Sequence, residues 1–478
     1  MLKYLRETPD AHPITEFPIL LFLELVLARG QGRGSPSQFI PPEVVERVLQ
    51  GVYALWTVLC EHDDPTILEN PAGVAAALCE RSTLGKPMLA LRVAFALWVW
   101  EHKDLDERAR ESRALFGQCL RETYGIALNE WVAGIAIATH ASTNQPVKEV
   151  TTEPLYVNPR RPELTEQGVS LLEQCLKLVS ACTERLAAEC KAWDDERDLV
   201  VEPTLLPLKK FPSLATLESP PRYRVTTPVL LAGAAVSRPF VVAQDTRRPD
   251  VRKSYGYVVE GMVHGVMREC FGDNYQRLEE PGDRKTGEGI IWFRDGCIVV
   301  EVKARHRFES KRFGIRSDQQ LRDDLSTSDL PKAVEQIRAT TNALLDGSVP
   351  GSSLRTIRVI GSIVVMVEEV ALTAASKSVL DTMLPATKSH AGALCLRPQL
   401  LTLDGVVDLL HWDLTSSMLG VLTVKMQHPD LSLEHLGNYL RIGRHPRRPP
   451  EVRTAPGKGI VDLVRPYFRP QAGGDPRA

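Results

Sequence analysis

Apolar positions repeat along this chain at two spacings, and the change from one to the other divides it in two. Through residue 200 they recur every three or four positions, the period of a helix with one buried face. That pattern predicts helices around Phe22–Leu27 and over Pro42–Glu61, Pro87–His102, Asp106–Tyr124, Ile126–Thr139 and Glu163–Asp198. In the last of these, Val169, Leu172, Leu176, Val179, Cys182, Leu186 and Cys190 step by three, four or seven, a seam expected to pack inside the domain. Trp56, Trp98, Trp100 and Trp131 sit inside apolar helical runs and read as core aromatics. Five prolines between 201 and 222 then mark a linker.

Beyond the linker, short β-type runs alternate with helical ones. Tyr223–Thr227 and Val229–Leu231 are expected as short strands, and Ser254–Phe271 as a helix stopped by Gly272. Gly261 and Gly265 would let that helix lie close to a sheet. Gly289–Phe293 and Cys297–Val302 are β-branched and aromatic runs joined through Asp295-Gly296, the signature of a type I′ hairpin turn. Such a turn sets Arg294 opposite Cys297, Ile290 opposite Glu301 and Glu288 opposite Lys303. Side chains alternate across a strand, so Glu288, Ile290, Glu301 and Lys303 are expected on one face. A helix over Pro331–Leu345, capped by Asp329, should pack through Ala333, Ile337, Leu344 and Leu345, with Lys332, Gln336 and Thr340 along another face. Ile357–Val367 reads as a buried strand, Ser376–Leu384 as a helix and Gln399–Leu403 as a strand. Helices over Leu403–Trp412, Met418–Met426 and Leu433–Ile442 follow, then a Pro-, Arg- and Gly-rich tail at 446–478 expected to be partly ordered.

At 478 residues the chain has room for two or three domains, and its formal charge of −2 excludes wholesale coating of nucleic acid. Arg outnumbers Lys, a bias of GC-rich bacterial genomes. The nine cysteines are odd in number and lack C-x-x-C spacing. They read as reduced thiols of a cytoplasmic protein, with neither a disulfide framework nor a zinc site. The longest apolar run, Phe17–Ala28, is interrupted by Glu24 and is too short to span a bilayer.

Two carboxylates and an ammonium at one end of an otherwise apolar hairpin are costly to place without a purpose. They suit metal-assisted phosphodiester hydrolysis: hard carboxylates hold Mg²⁺ or Mn²⁺, and a lysine positions water or offsets developing charge. A solvated Glu-Lys pair at a strand end is the plainer alternative. Glu301-Val302-Lys303 on the second strand and an acid opening the first resemble the PD-(D/E)XK nuclease superfamily, the restriction-endonuclease-like fold. The first acid there is normally Asp, so Glu288 is a departure whose extra methylene requires a moved metal or a shifted backbone; Asp283 is the fallback ligand. The resemblance implies that Glu260, on the preceding helix, reaches the metal or its water, and that Gln336, with Lys332, lies near the lysine and the substrate backbone. Arg305, Arg307, Lys311, Arg312 and Arg316 follow the hairpin as a basic stretch expected to contact phosphates, although Glu309, Asp318, Asp323 and Asp324 could balance it as a solvated loop.

The reading is therefore a multidomain α and α/β protein. A helical domain (1–200) precedes a restriction-endonuclease-like domain (223–445) built on a central mixed sheet. Its expected activity is Mg²⁺-dependent cleavage of DNA. RNA is left open as substrate, as is a degenerate fold that only binds nucleic acid or protein. The fused helical domain resembles bacterial systems against phage or foreign DNA, in which it would dock a partner or a second copy.

Overall fold

The computed structural model describes residues 87–470 apart from 104, 144–156, 197–209, 216–220, 226–227, 247–249, 279–286, 305–328, 368–373, 434, 443–444 and 449–454. Trp56 and the helices expected before residue 87 lie outside them. Two compact units draw on discontinuous stretches: the first on 1–95, 124–239 and 456–478, the second on 96–123 and 240–455.

The first unit is mainly helical. Helix α1 (Pro87–Trp98) begins in it, and α2 (Glu107–Tyr124) belongs almost wholly to the second unit. Helix α3 (Leu128–Thr143) and α4 (Glu166–Leu178) follow, with Thr165 capping α4 through Oγ1 to the Gly168 N–H at 3.1 Å. The single long helix expected over 163–198 is broken. Strand β1 (Ser180–Ala181) interrupts it before α5 (Thr183–Glu196). The Val-Ser-Ala-Cys-Thr segment is a weak helix former, and β1 pairs in parallel with β2 (Ser213–Ala215) inside the expected linker. Strand β2 pairs antiparallel with β3 (Tyr223–Val225). The seam survives the break, since Leu172, Leu176, Val179, Leu186 and Cys190 are buried. Val229–Leu231 is not a strand but the first turn of α6 (Pro228–Asp245), whose Pro239 and Gly233 obscure the helical signal. The expected tail contributes a helix too, over Ala455–Val464.

In the second unit, α7 (Val251–Phe271) ends at Gly272, whose φ of +57 is a backbone conformation open to glycine. Strand β4 (Tyr275–Arg277) precedes the hairpin of β5 (Gly289–Phe293) and β6 (Gly296–Lys303). Next come α8 (Leu330–Leu345), β7 (Val359–Met366), α9 (Ala374–Met383), β8 (Lys388–His390), β9 (Ala393–Cys395) and β10 (Gln399–Thr402). Helices over Leu403–Asp408, Met418–Met426 and Leu436–Ile442 close the unit. The strands form one mixed sheet in the order β4-β5-β6-β7-β9-β8, with β10 also paired to β7. Its first three strands are antiparallel, while β6-β7, β7-β9 and β7-β10 are parallel. Strands buried on both faces explain the unbroken apolar runs of β6 and β7.

The two glycines of α7 serve the connection from α1 to α2 and the first turn of α2 rather than the sheet. A Cβ on Gly261 would lie 2.9 Å from both Leu105 and Ala109, and one on Gly265 would overlap the His102 ring. Trp98, Phe116, Tyr255 and Phe240 form an edge-to-face and tilted aromatic cluster beside this crossing, with centroids 4.8–6.3 Å apart.

The hairpin turns one residue earlier than its sequence suggests. Phe293 pairs with Gly296, so Arg294 and Asp295 make the turn and Ile290 faces Val299 instead of Glu301. Gly296 does not take a positive φ. It is required because it sits opposite Val359 on β7, where a Cβ would overlap the Val359 carbonyl oxygen. Asp295 offers its own carbonyl to the Arg358 and Val359 N–H groups at 2.9 and 3.2 Å. Neighbouring-strand packing, not turn chemistry, selects this glycine. The register moves by two, an even step, so Ile290, Val299, Glu301 and Lys303 still share a face.

Candidate active site

Glu301 and Lys303 stand two residues apart at the carboxyl end of β6, where the strand runs parallel to β7. Both therefore emerge on the face covered by α8. Glu301 is fully buried, and the Lys303 side chain is 15% exposed. Lys303 Nζ donates to Glu301 Oε1 and, at 2.7 Å, to Gln336 Oε1. Gln336 is placed there by α8, whose Ala333, Ile337 and Leu344 pack inward. A carboxylate taken wholly out of water persists only with such a partner.

Glu260 approaches from α7. Its carboxyl is pushed up to about 8, first by burial and then by the charge of Glu288, with Lys303, Arg277 and Asp106 close enough to act on it as well. Glu260 thus feels Glu288 and Lys303, whereas His264 bonds the Tyr275 hydroxyl through Nδ1.

Glu288 departs from its expected position. Both its N–H, bonded to the Val300 carbonyl at 2.9 Å, and the pairing of Gly289 with Val300 use the same residue of β6. The Glu288 carbonyl meanwhile accepts from Leu278 on the other side at 3.0 Å. Glu288 and Gly289 together opposing Val300 make a β-bulge, which breaks the alternation of side chains. A Cβ on Gly287 would lie 3.0 Å from Val299 Cγ1, on the Glu301 side. Alternation past Gly287 turns Glu288 away from that side, in keeping with its effect on Glu260. The expected pairing of Glu288 with Lys303 on one face with Glu301 is therefore corrected. A two-residue turn fixes alternation only as far as the ladder stays regular.

Of the other expected site residues, Lys332 is exposed and pairs with Asp329 at 3.7 Å rather than joining the Lys303 network. Asp329 makes no capping bond with its side chain. Arg305, Arg307, Lys311, Arg312, Arg316 and Asp283 lie outside the described residues.

A second polar group, not foreseen from sequence, borders Glu260. Arg277 bonds Asp106 at 2.7 Å, and Asp106 caps α2 through the Ala109 N–H at 2.8 Å. Burial alone would raise the Asp106 carboxyl, but the Ala109 and Arg277 bonds hold it below the usual range. His264 is fully buried and pushed down to about 3 by burial and then by Arg277. Strand β4 is only three residues long, too short to show a period, and Asp106 is 171 residues from Arg277. Nothing in the sequence could have joined them.

Among the described residues, no group of three or more His, Cys, Asp or Glu side chains could hold a metal ion. Mg²⁺ is commonly held by one or two carboxylates with water completing its shell. The mutual repulsion of Glu260 and Glu288, hard oxygen donors both, is what a divalent cation relieves, so the donor chemistry fits. No helix among the described residues is long and apolar enough to cross a membrane. A scan against protein-family models and searches of curated proteins and of solved structures return no match to this chain.

Proposed function

We propose that the second unit is a PD-(D/E)XK-like nuclease that hydrolyses DNA phosphodiester bonds with Mg²⁺ or Mn²⁺. The observation that carries this reading is Lys303 bonded to both Glu301 and Gln336, with Glu260 and Glu288 at its border. Glu301 aims Lys303. Gln336 holds the same ammonium from the helix, so its remaining donor capacity is directed. That ammonium can position a water or meet the charge that develops on the phosphoryl oxygens. Glu260 and Glu288 are the carboxylates that would hold the metal. When bound, the metal would polarise the phosphoryl group and acidify a water. The bulge supports the reading as well: a Glu in place of Asp needs a shifted backbone, and the backbone is displaced at Glu288.

A nucleic-acid-binding module on the same scaffold is the second reading, favoured by the turn of Glu288 away from Glu301. The test is nicking of supercoiled plasmid by parent, Glu301→Gln and Lys303→Ala proteins, with a labelled RNA run alongside. The nuclease reading expects Glu301→Gln to lose nearly all cleavage. It expects Lys303→Ala to lose on the order of a hundredfold or more while still binding Mn²⁺. Equal rates for parent and Glu301→Gln would end it. The setting in defence against foreign DNA rests on the fused architecture alone.

A further inference from the structure

Thr340 lies one turn beyond Gln336 on α8 and is fully buried. Its Oγ1 donates to the Gln336 carbonyl at 2.9 Å and accepts from the Gly287 N–H at 2.7 Å. A hydroxyl has one proton, so the two bonds have fixed polarity: the proton goes to Gln336, and a lone pair receives Gly287. Threonine bonding back to the carbonyl four residues earlier is ordinary in helices and by itself means little. The Gly287 bond is another matter, because it crosses 53 residues of chain to the residue just before the bulge.

A side chain on Gly287 would crowd this close approach. A Cβ there would lie 3.0 Å from Val299 Cγ1, 3.3 Å from the Val300 carbonyl oxygen and 3.4 Å from Thr340 Oγ1. The next amide, Glu288, is bonded to Val300. Thr340 and Val300 thus hold two successive N–H groups in two directions, and the bulge stays at 288 because both are satisfied. Without the hydroxyl, Gly287 would keep a buried N–H that could recover a partner only by shifting the backbone that carries Glu288.

We infer that Thr340 is a positioning residue of the proposed nuclease site, tying the backbone of Glu288 to the helix that presents Gln336 to Lys303. This rests on the nuclease reading above. Thr340 touches none of the reacting groups. It sets the distance between the two arms of the site, one carrying an acid and the other the partner of the lysine.

The experiment compares full-length parent, Thr340→Val and Thr340→Ser, the first keeping shape without the hydroxyl and the second keeping the hydroxyl. Hydrogen exchange of the Gly287 amide, Mn²⁺ binding by calorimetry, and kcat and KM for plasmid nicking are measured on each. Thr340→Val is expected to exchange Gly287 about tenfold faster and to lose about tenfold in kcat with KM little changed, and Thr340→Ser to restore both. Should the valine protein not fold, Thr340→Ala carries the same comparison. Unchanged exchange at Gly287 would overturn the tie, and faster exchange with unchanged kcat would overturn its role in positioning. A parent that cleaves nothing and binds no Mn²⁺ would instead overturn the nuclease reading, and the exchange data would still decide the tie.

Discussion

Lys303 bonds Glu301 and Gln336, and the two partners are not equivalent. Glu301 is fully buried, whereas Gln336 is neutral and only half-buried. Removing the cation should therefore hurt stability more than removing the amide. Lys303→Met leaves a buried carboxylate without its counter-charge and is expected to destabilise by about 3 kcal/mol or more, against about 1 kcal/mol for Gln336→Leu. Urea unfolding of both proteins checks the order. His264 gives a separate pH signature. It faces Tyr275, Arg277, Asp106, His102 and Arg268, and it stays neutral down to about 3. An unfolded histidine takes up a proton near pH 6.5, so as pH falls from 6.5 towards 3 the unfolded state binds more protons and the fold loses stability. From pH 7 to pH 5 that loss is about 2 kcal/mol from this residue. It should be absent in His264→Gln, as measured by unfolding at the two pH values. At this scale the shared face of Glu301 and Lys303 was legible from strand alternation, while Gln336 and Glu260 were singled out by the resemblance. Arg277 was not, because its partner arrives from a distant helix.

At the scale of elements, the hairpin shows what local signals can and cannot decide. The two strands were evident from β-branched and aromatic composition, yet the turn, the register and the reason for Gly296 all differ from the local expectation. Parallel pairing with β7 leaves no space for a Cβ at Gly296, so Gly296→Ala must push backbone against backbone. It is expected to cost about 3 kcal/mol or more. Gly420, inside the Met418–Met426 helix, has nothing within 4 Å of an added Cβ, and Gly420→Ala should stabilise by about 0.5–1 kcal/mol. Denaturation midpoints of the two variants should move in opposite directions; a loss at both would mean that the strand contact is not what distinguishes them. The break at Ser180–Ala181 has the same lesson, since the apolar seam continues through it while β2 draws the backbone out of the helix.

At the scale of the whole molecule, the basic stretch that follows β6 in sequence is the expected phosphate contact. Arg305→Ala, Arg307→Ala and Arg312→Ala together should lower the slope of log affinity against log salt by about 2.7 if each neutralises one DNA phosphate. Binding titrations at several salt concentrations read this directly, and an unchanged slope would place the contact elsewhere. The two units interleave in sequence, with 96–123 in the second unit and 456–478 in the first.

Local chemistry determined much of this. Alternation and helical period, which depend only on backbone geometry, placed Glu301, Lys303 and Gln336 on the elements that bring them together. Tertiary structure decided what depends on a neighbour from far along the chain. It set the hairpin register through β7, broke the long helix through β2, and located the bulge at Glu288 through Val300 and Thr340. Those outcomes turn on single hydrogen bonds and a missing Cβ at contacts that no periodicity records.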